Sequence, residues 1–202
     1  MFAGGALLLA AGPLRAGESS ALFAPCVACH GSKAEGNAAL NAPALAGQHA
    51  AYLQRQLRNF RTGLRGAHPS DKPGAQMRTV AATIKDEASV ARLASYAAAL
   101  PETVAPAPGR ADLRNGNNLY HGKCGACHGG RAEGNPALDA PRLAGLDAAY
   151  LKRQFAYFRD GVRGAHKDDR LGRQMSLMAK TLPGEGDLDD VIAFIQAQGR
   201  AK

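Results

Sequence analysis

The chain has little from which to build a large hydrophobic core. Its 202 residues include no tryptophan and only 5% aromatic residues, although the apolar content is an ordinary 46%. A chain of this length forms one medium domain or two small ones. Two cores of about 100 residues each, built mainly from Ala and Leu, would be thin, and small domains often need a cofactor or a staple.

Runs of lysine and interleaved aromatic and basic residues are also missing. The net charge is +8 and is spread over both halves of the chain. A basic surface favours anionic partners, or simply keeps the protein in solution. Because the patterns typical of nucleic-acid binding are absent, we expect no nucleic-acid partner.

Long apolar runs are absent too, apart from a short one at the N-terminus. Residues 2–11 form an apolar stretch the length of a signal-peptide core, too short to cross a bilayer. No Lys or Arg precedes it, so either the start is truncated or the segment is a residual anchor. We predict a signal peptide over residues 1–16, and therefore an exported protein that is periplasmic, either free or associated with the membrane.

The most prominent feature that is present is an internal repeat, and repeats govern how the rest is interpreted. Cys26 and Cys124 lie 98 residues apart, and at that shift the two halves align without a gap, "CVACHGSKAEGNAALNAPALAG" over "CGACHGGRAEGNPALDAPRLAG". Between them lies "PETVAPAPG", typical of a semi-rigid extended linker. We predict a first domain over 17–100, a linker over 101–109 and a second domain over 110–202.

Each half is predicted to be helical. Leu53, Leu57 and Phe60 share one helix face in the predicted helix 50–61, and the second half repeats this spacing. Further helices are predicted over 88–99, over 188–198 and before each cysteine pair, although Pro25 should cut the first of these short. No segment is typical of a strand. The fold class is therefore all-α, and the long Gly- and Pro-rich loops, including "RGAHPSDKPGAQ", are expected to wrap a bound group.

The two pentapeptides "CVACH" and "CGACH" hold every cysteine of the chain. Two thiols one helical turn apart can form thioethers with the vinyl groups of a haem, and the adjacent histidine can bind its iron. A zinc ribbon needs its cysteine pairs about 15 to 20 residues apart, and a thioredoxin-like pair needs a βαβ context. A disulfide would not explain the recurring histidine. The predicted covalent haem attachment sites are Cys26, Cys29, Cys124 and Cys127, with His30 and His128 as axial ligands of two haem c groups.

The chain has few methionines that could serve as the sixth ligand of each iron. Met77 and Met175 each lie 47 residues after the predicted histidine ligand, whereas Met178 has no methionine at its repeat position. We predict Met77 and Met175 as axial ligands and Met178 as a core residue. His68 and His166 also recur in register and are the rival ligands.

These motifs resemble the dihaem cytochrome c4 family, two tandem class I cytochrome c domains. The most specific segments are "APALAGQHAAYLQRQLRNFRTGLR" and "APRLAGLDAAYLKRQFAYFRDGVR". The resemblance implies an electron carrier with two covalently bound haems, whose propionate edges approach one another between the domains. It also implies that the carbonyls of Pro43 and Pro141 accept the Nδ1 proton of the histidine ligands, orienting each ring.

The expected function is single-electron transfer rather than enzymatic catalysis. Partners would be redox proteins such as a terminal oxidase, a reductase or a dehydrogenase. The alternatives are a cytochrome subunit of an oxidoreductase such as flavocytochrome c sulfide dehydrogenase, and a dihaem peroxidase. We consider five arginines as candidates for steering an acidic partner, or else as a solvated helix face or as contacts to the haem propionates: Arg55, Arg58, Arg61, Arg153 and Arg159.

Overall fold

The computed structural model describes residues 16–106 and 109–199, and these residues form helices and turns without a strand. Extended pairing within this part is limited to two isolated bridges, Asn37 with Ala42 and Asn135 with Ala140. No helix in the described ranges is long and apolar enough to cross a membrane. The predicted signal peptide lies, but for its last residue, outside the described residues.

The described part of the first half has four α-helices. They are α1 (Ala16–His30), α2 (Ala50–Thr62), α3 (Lys72–Ala82) and α4 (Glu87–Ala99). Helix α1 packs on α4, with the rings of Phe23 and Tyr96 5.3 Å apart. Helix α2 packs on α4 and also on α3. Its predicted apolar face is confirmed, because Leu53 and Phe60 are buried.

The second half repeats this order with one additional break. Its helices are α5 (Leu113–Lys123), α6 (Gly125–His128), α7 (Ala148–Arg159), α8 (Arg170–Ala179) and α9 (Glu185–Gln198). Helix α5 crosses α9, with the rings of Tyr120 and Phe194 5.1 Å apart. The described residues form helices in the same order in both halves, which confirms the predicted fold class.

Two predictions about local structure are wrong. Pro25 does not end its helix, since α1 runs unbroken through it to His30. The φ angle of proline is helical, so the penalty is confined to one lost hydrogen bond and a local clash. The burial of Phe23 in the core stabilises the helix on the N-terminal side of Pro25. The segment read as the loop "RGAHPSDKPGAQ" contains the start of α3. There the Asp71 carboxylate caps the helix by accepting the N–H of Gly74 at 2.9 Å, and Pro73 lies in the first turn.

Residues 101–106 contact the second half of the protein. The carboxylate of Glu102 pairs with the guanidinium of Arg142 at 2.9 Å, and the hydroxyl of Thr103 donates to the carbonyl of Gly145 at 3.3 Å. Ala105 is buried. The end of the first half is therefore fixed to the second by directed contacts.

Candidate haem sites and the surface between them

The first predicted histidine ligand is held by a single hydrogen bond. His30 ends α1, is only 4% exposed, and its Nδ1 lies 2.9 Å from the carbonyl oxygen of Pro43. Burial lowers the pKa of His30, and the bond to Pro43 opposes part of that shift. The imidazole is therefore neutral at neutral pH, with the proton on Nδ1 and the lone pair of Nε2 free to bind a metal.

The loop that carries Pro43 is folded back by its own backbone. Ala34 is completely buried with φ +54°, and its carbonyl accepts the N–H groups of Leu45 at 2.8 Å and Ala46 at 3.1 Å. The N–H of Gly36 also donates to the carbonyl of His30 at 2.8 Å. Gly36 has φ +86°, and a Cβ there would lie 2.5 Å from the backbone nitrogen of Ala44. This glycine lets the loop pass close enough for the proline carbonyl to reach the histidine.

The second site repeats this geometry in register. His128 is 7% exposed and its Nδ1 lies 3.0 Å from the carbonyl oxygen of Pro141. Burial lowers the pKa of His128, with the bond to Pro141 again opposing it. Ala132 takes the place of Ala34, with φ +57° and no exposure. The contact that the family resemblance implied for Pro43 and Pro141 is thus present in both halves.

None of the four cysteines forms a disulfide. Burial raises the pKa of Cys26, to which the neighbouring Cys29 adds, and burial raises the pKa of Cys124 to about 11. Before haem is attached, these two thiols are therefore protonated at neutral pH. Each pair lies within or directly before the short helical turn that ends in the buried histidine, which is the arrangement that the C-x-x-C-H spacing requires.

The two predicted methionine ligands lie at matching positions on helices. Met77 is in the middle of α3 and Met175 is in the middle of α8, and both are partly buried. Met178 lies three residues further along α8 and is 38% exposed. Its expected place in the core is therefore wrong, because its helix turns that position towards the surface.

The rival ligands His68 and His166 are exposed, and each organises a turn. The Nδ1 of His68 accepts the N–H of Ser70 at 3.2 Å, and the Nδ1 of His166 accepts the N–H of Asp168 at 3.2 Å. Each turn directly precedes the aspartate that caps α3 or α8. The recurrence of these histidines is explained by the start of the methionine-bearing helices.

A buried polar network joins the two halves. Arg65 donates to Gln56 of its own half at 2.8 Å and to Tyr150 and Gln154 of the other, both at 3.1 Å. Arg163 mirrors it, donating to Gln154 at 2.7 Å, to Gln56 at 2.8 Å and to Tyr52 at 3.4 Å. These residues were not predicted from the sequence to form a functional group. The signal was available, because all three pairs are identical at the 98-residue shift.

The outer part of this surface has the same two-fold relation. Arg55 reaches across to Asp139, with 3.0 Å to its carboxylate and 2.7 Å to its carbonyl. Arg153 reaches back to Asn41, with 2.8 Å to the side-chain oxygen and 3.0 Å to the carbonyl. Both acceptors sit at the left-handed residue that closes a short 3-10 turn in each half.

Comparison with known proteins agrees with this architecture. The cytochrome c family model matches residues 16–100 and again residues 113–198. Cytochrome c4 of Azotobacter vinelandii is 33% identical over 198 residues, which cover 93% of this chain and 90% of that protein. The chain belongs to the cytochrome c4 family.

Two further matches extend this assignment. The crystal structure of reduced recombinant cytochrome c4 from Pseudomonas stutzeri superimposes with a TM-score of 0.70 at 26% identity, covering 90% of this chain and 97% of that one. A Stutzerimonas stutzeri protein named thiosulfate dehydrogenase electron acceptor is 35% identical over 157 residues, covering 73% of this chain and 68% of that protein.

Membership of the cytochrome c4 family confirms the predicted function and cofactors. The chain is an electron-transfer cytochrome rather than an enzyme, and it carries two covalently bound haem c groups in two tandem cytochrome c domains. The alternative of a flavocytochrome c sulfide dehydrogenase subunit is not favoured by these relatives.

The surface between the domains fits the anionic edge of a cytochrome c4 haem. Arg65 and Arg163 are only 9% and 8% exposed, and neither forms an ion pair with a carboxylate of the described residues. The Nε of Arg65 is buried without a hydrogen-bond partner there. A buried cation of this kind requires a compensating charge. Haem propionates are anions of the right chemistry, so the residues present fit the group.

The arginines considered for steering a partner form hydrogen bonds or ion pairs within the protein. Arg55 and Arg153 contact the opposite domain, so their side chains are engaged in the surface between the domains. The other three are paired on the surface: Arg58 and Arg61 with Glu87 at 2.6 Å and 2.8 Å, and Arg159 with Asp160 at 2.9 Å and with Glu185. These ion pairs cancel much of the charge that would attract an acidic partner.

Proposed function

We propose that this cytochrome carries single electrons between redox proteins of the periplasm through two equivalent His/Met sites. The observation that supports this best is the duplicated buried imidazole, held through Nδ1 on a proline carbonyl so that Nε2 is free. We assign the covalent attachment and the axial ligands as follows: thioethers at Cys26, Cys29, Cys124 and Cys127, and iron bound by His30 with Met77 and by His128 with Met175.

The pairing of histidine with methionine determines what these sites can do. Bound here, haem supplies an iron couple that takes up and releases one electron, and a thioether ligand raises its potential. Met77 and Met175 would hold the iron together with the histidine of the same domain. A closed site leaves no position for a substrate, which suits a carrier.

The surface between the domains supports transfer from one site to the other. Arg65 and Arg163 offer buried donors to both domains and would neutralise the anionic haem edges that the family brings together there. Hydrogen bonds from each arginine to the opposite domain hold the two sites at a fixed separation. We therefore propose that an electron entering one domain equilibrates with the other.

We propose a periplasmic location, since thioether attachment takes place outside the bacterial cytoplasm, and residues 2–11 are typical of a signal-peptide core. Association with the membrane surface is compatible with the basic net charge. For the donor we propose a dehydrogenase that oxidises an inorganic sulfur compound, because one relative is named as the electron acceptor of thiosulfate dehydrogenase. The acceptor would be a terminal oxidase or reductase.

Stopped-flow mixing tests this proposal. Oxidised cytochrome mixed with reduced thiosulfate dehydrogenase should take up two electrons per chain in a second-order reaction. The isolated cytochrome should not turn over thiosulfate or peroxide. Steady turnover of either compound by the cytochrome alone would contradict a carrier function, and failure with this donor but not with another periplasmic dehydrogenase would overturn only the choice of partner.

A further inference from the structure

One residue of the first domain reaches the peptide group that holds the histidine ligand of the second. The N–H of Arg142 donates to the side-chain oxygen of Gln48 at 2.9 Å, and the side-chain nitrogen of Gln48 donates to the carbonyl of Arg142 at 2.8 Å. Gln48 is only 6% exposed. Its side-chain oxygen also accepts the N–H of His49 at 3.0 Å, so one orientation of the amide satisfies all three bonds.

The N–H of Arg142 belongs to the same peptide group as the carbonyl of Pro141. That carbonyl accepts the Nδ1 proton of His128. A continuous chain of hydrogen bonds therefore runs from the imidazole of His128, through the peptide between Pro141 and Arg142, to the side chain of Gln48. These hydrogen bonds cross from the second domain to the first.

The described residues of the first domain form no equivalent series of hydrogen bonds. At the 98-residue shift, Leu146 replaces Gln48 and Ala44 replaces Arg142. The bond from His30 to Pro43 is kept at 2.9 Å, but Leu146 has no acceptor, and no described residue accepts the N–H of Ala44. Ala44 and Leu146 instead belong to one apolar cluster. The two halves thus have the same histidine contact but differ in what lies behind it.

The difference has an electronic consequence. An acceptor on the N–H side of a peptide places more negative charge on its carbonyl oxygen, so hydrogen bonds in a chain strengthen one another. A stronger acceptor at Nδ1 makes the imidazole a better electron donor to the metal. A better donor stabilises ferric iron over ferrous iron and lowers the reduction potential. We propose that Gln48 is a positioning residue that selectively lowers the potential of the haem in the second domain.

This inference rests on the proposed function, because it takes His128 as an iron ligand. It adds that the tuning residue is supplied by the opposite domain. The potential of the second haem then depends on the docking of the two domains, since Gln48 reaches Arg142 only across the surface between them. The first haem is tuned without such a contact.

A near-isosteric substitution, Gln48→Met, tests the proposal in the full-length dihaem protein. It removes the acceptor and keeps the side-chain length. We expect the potential of the second haem to rise while that of the first is nearly unchanged. The reduction equilibrium should shift up to about tenfold, which is about 59 mV for one electron. Haem methyl resonances followed by NMR through a redox titration separate the two haems, and the amide proton of Arg142 should move upfield as its hydrogen bond is lost.

The reciprocal variant Leu146→Gln is the matched comparison. Its side chain can accept the N–H of Ala44, so the potential of the first haem should fall. Equal shifts of both haems in Gln48→Met, or no shift of the second, would overturn the proposal even if Leu146→Gln does not fold. Intact haem content and an intact sulfur-to-iron charge-transfer band in those samples would leave the proposed ligation standing. Loss of the second covalent haem from the wild-type protein would overturn the proposed function itself.

Discussion

At the scale of single residues, the axial histidines show why a buried imidazole needs a defined partner. His30 and His128 are kept neutral by burial, and each directs its one proton to a proline carbonyl. Proline has no N–H, yet its carbonyl is a full acceptor. The hydrogen bond to the proline carbonyl therefore orients each imidazole ring independently of a metal.

Single substitutions test the proposed methionine ligands. Met175→Ala should remove about half of the far-red sulfur-to-iron charge-transfer band of the oxidised protein and lower the potential of one haem, because the thioether favours ferrous iron. Met77→Ala should do the same for the other haem. Absorption spectra and redox titrations measure both effects.

Met178→Ala is the control for that experiment. Met178 lies on the same helix but at the surface, so its replacement should leave the band at full intensity. If Met178→Ala removed half of the band and Met175→Ala did not, the assignment of the second domain's ligand would be wrong.

At the scale of helices, the second domain depends on one close crossing. A Cβ on Gly116 of α5 would lie 2.1 Å from the backbone oxygen of Asp190 in α9, so a side chain at Gly116 is excluded. The amide of Asn115 donates to Asp187 at 3.0 Å and to Asp190 at 2.9 Å, which fixes the same crossing. The first half has Glu18 at the equivalent position, so α1 and α4 cannot cross in the same way.

Gly116→Ala should therefore destabilise the second domain by about 1–3 kcal/mol, because the helices must move apart. Gly122→Ala is the matched control in the same helix. A Cβ at Gly122 meets no atom within 4 Å, so this change should stabilise the protein by about 0.5–1 kcal/mol through helix propensity. Denaturant unfolding followed by far-UV circular dichroism measures both, and a destabilising Gly122→Ala would contradict the described environment of α5.

The helices could be predicted from the sequence to different degrees, for physical reasons. Helices α2, α4, α7 and α9 carry apolar residues at helical spacing, and the structure places them close to the predicted bounds. Helix α3 has a weak apolar pattern and begins inside a Gly- and Pro-rich segment, and α8 begins in the polar segment "AHKDDR". The capping residues Asp71 and Asp169 mark their starts, and Pro73 is a second start signal in α3. The histidine contacts were implied by family resemblance, whereas the arginine network joins residues whose proximity depends on how the domains dock.

At the scale of the whole molecule, two buried guanidinium groups are shared between the domains. Although burial alone would raise it, the charges of Arg163 and Arg65 hold the pKa of Tyr52 below its ordinary value. The same positive charges should favour the reduced state of haems whose edges lie nearby, because ferrous haem carries one positive charge fewer than ferric haem.

Arg65→Gln should accordingly lower both haem potentials and reduce the coupling between the domains. Arg58→Gln, which removes an exposed arginine paired with Glu87 on the surface, should change neither potential by a comparable amount. Redox titrations of both variants at fixed ionic strength make the comparison. Equal effects of the two substitutions would mean that net charge, and not the buried position of Arg65, governs the potentials.

The most direct test of the account is the mass of the mature protein. Each of the duplicated C-x-x-C-H segments is expected to hold a covalent haem, through Cys26 with Cys29 and through Cys124 with Cys127. Protein matured in a bacterial periplasm and analysed by mass spectrometry after acid-acetone extraction should retain two haem additions, one on each cysteine-containing peptide. A single addition, haem released by the extraction, or bound zinc in place of haem would contradict the account.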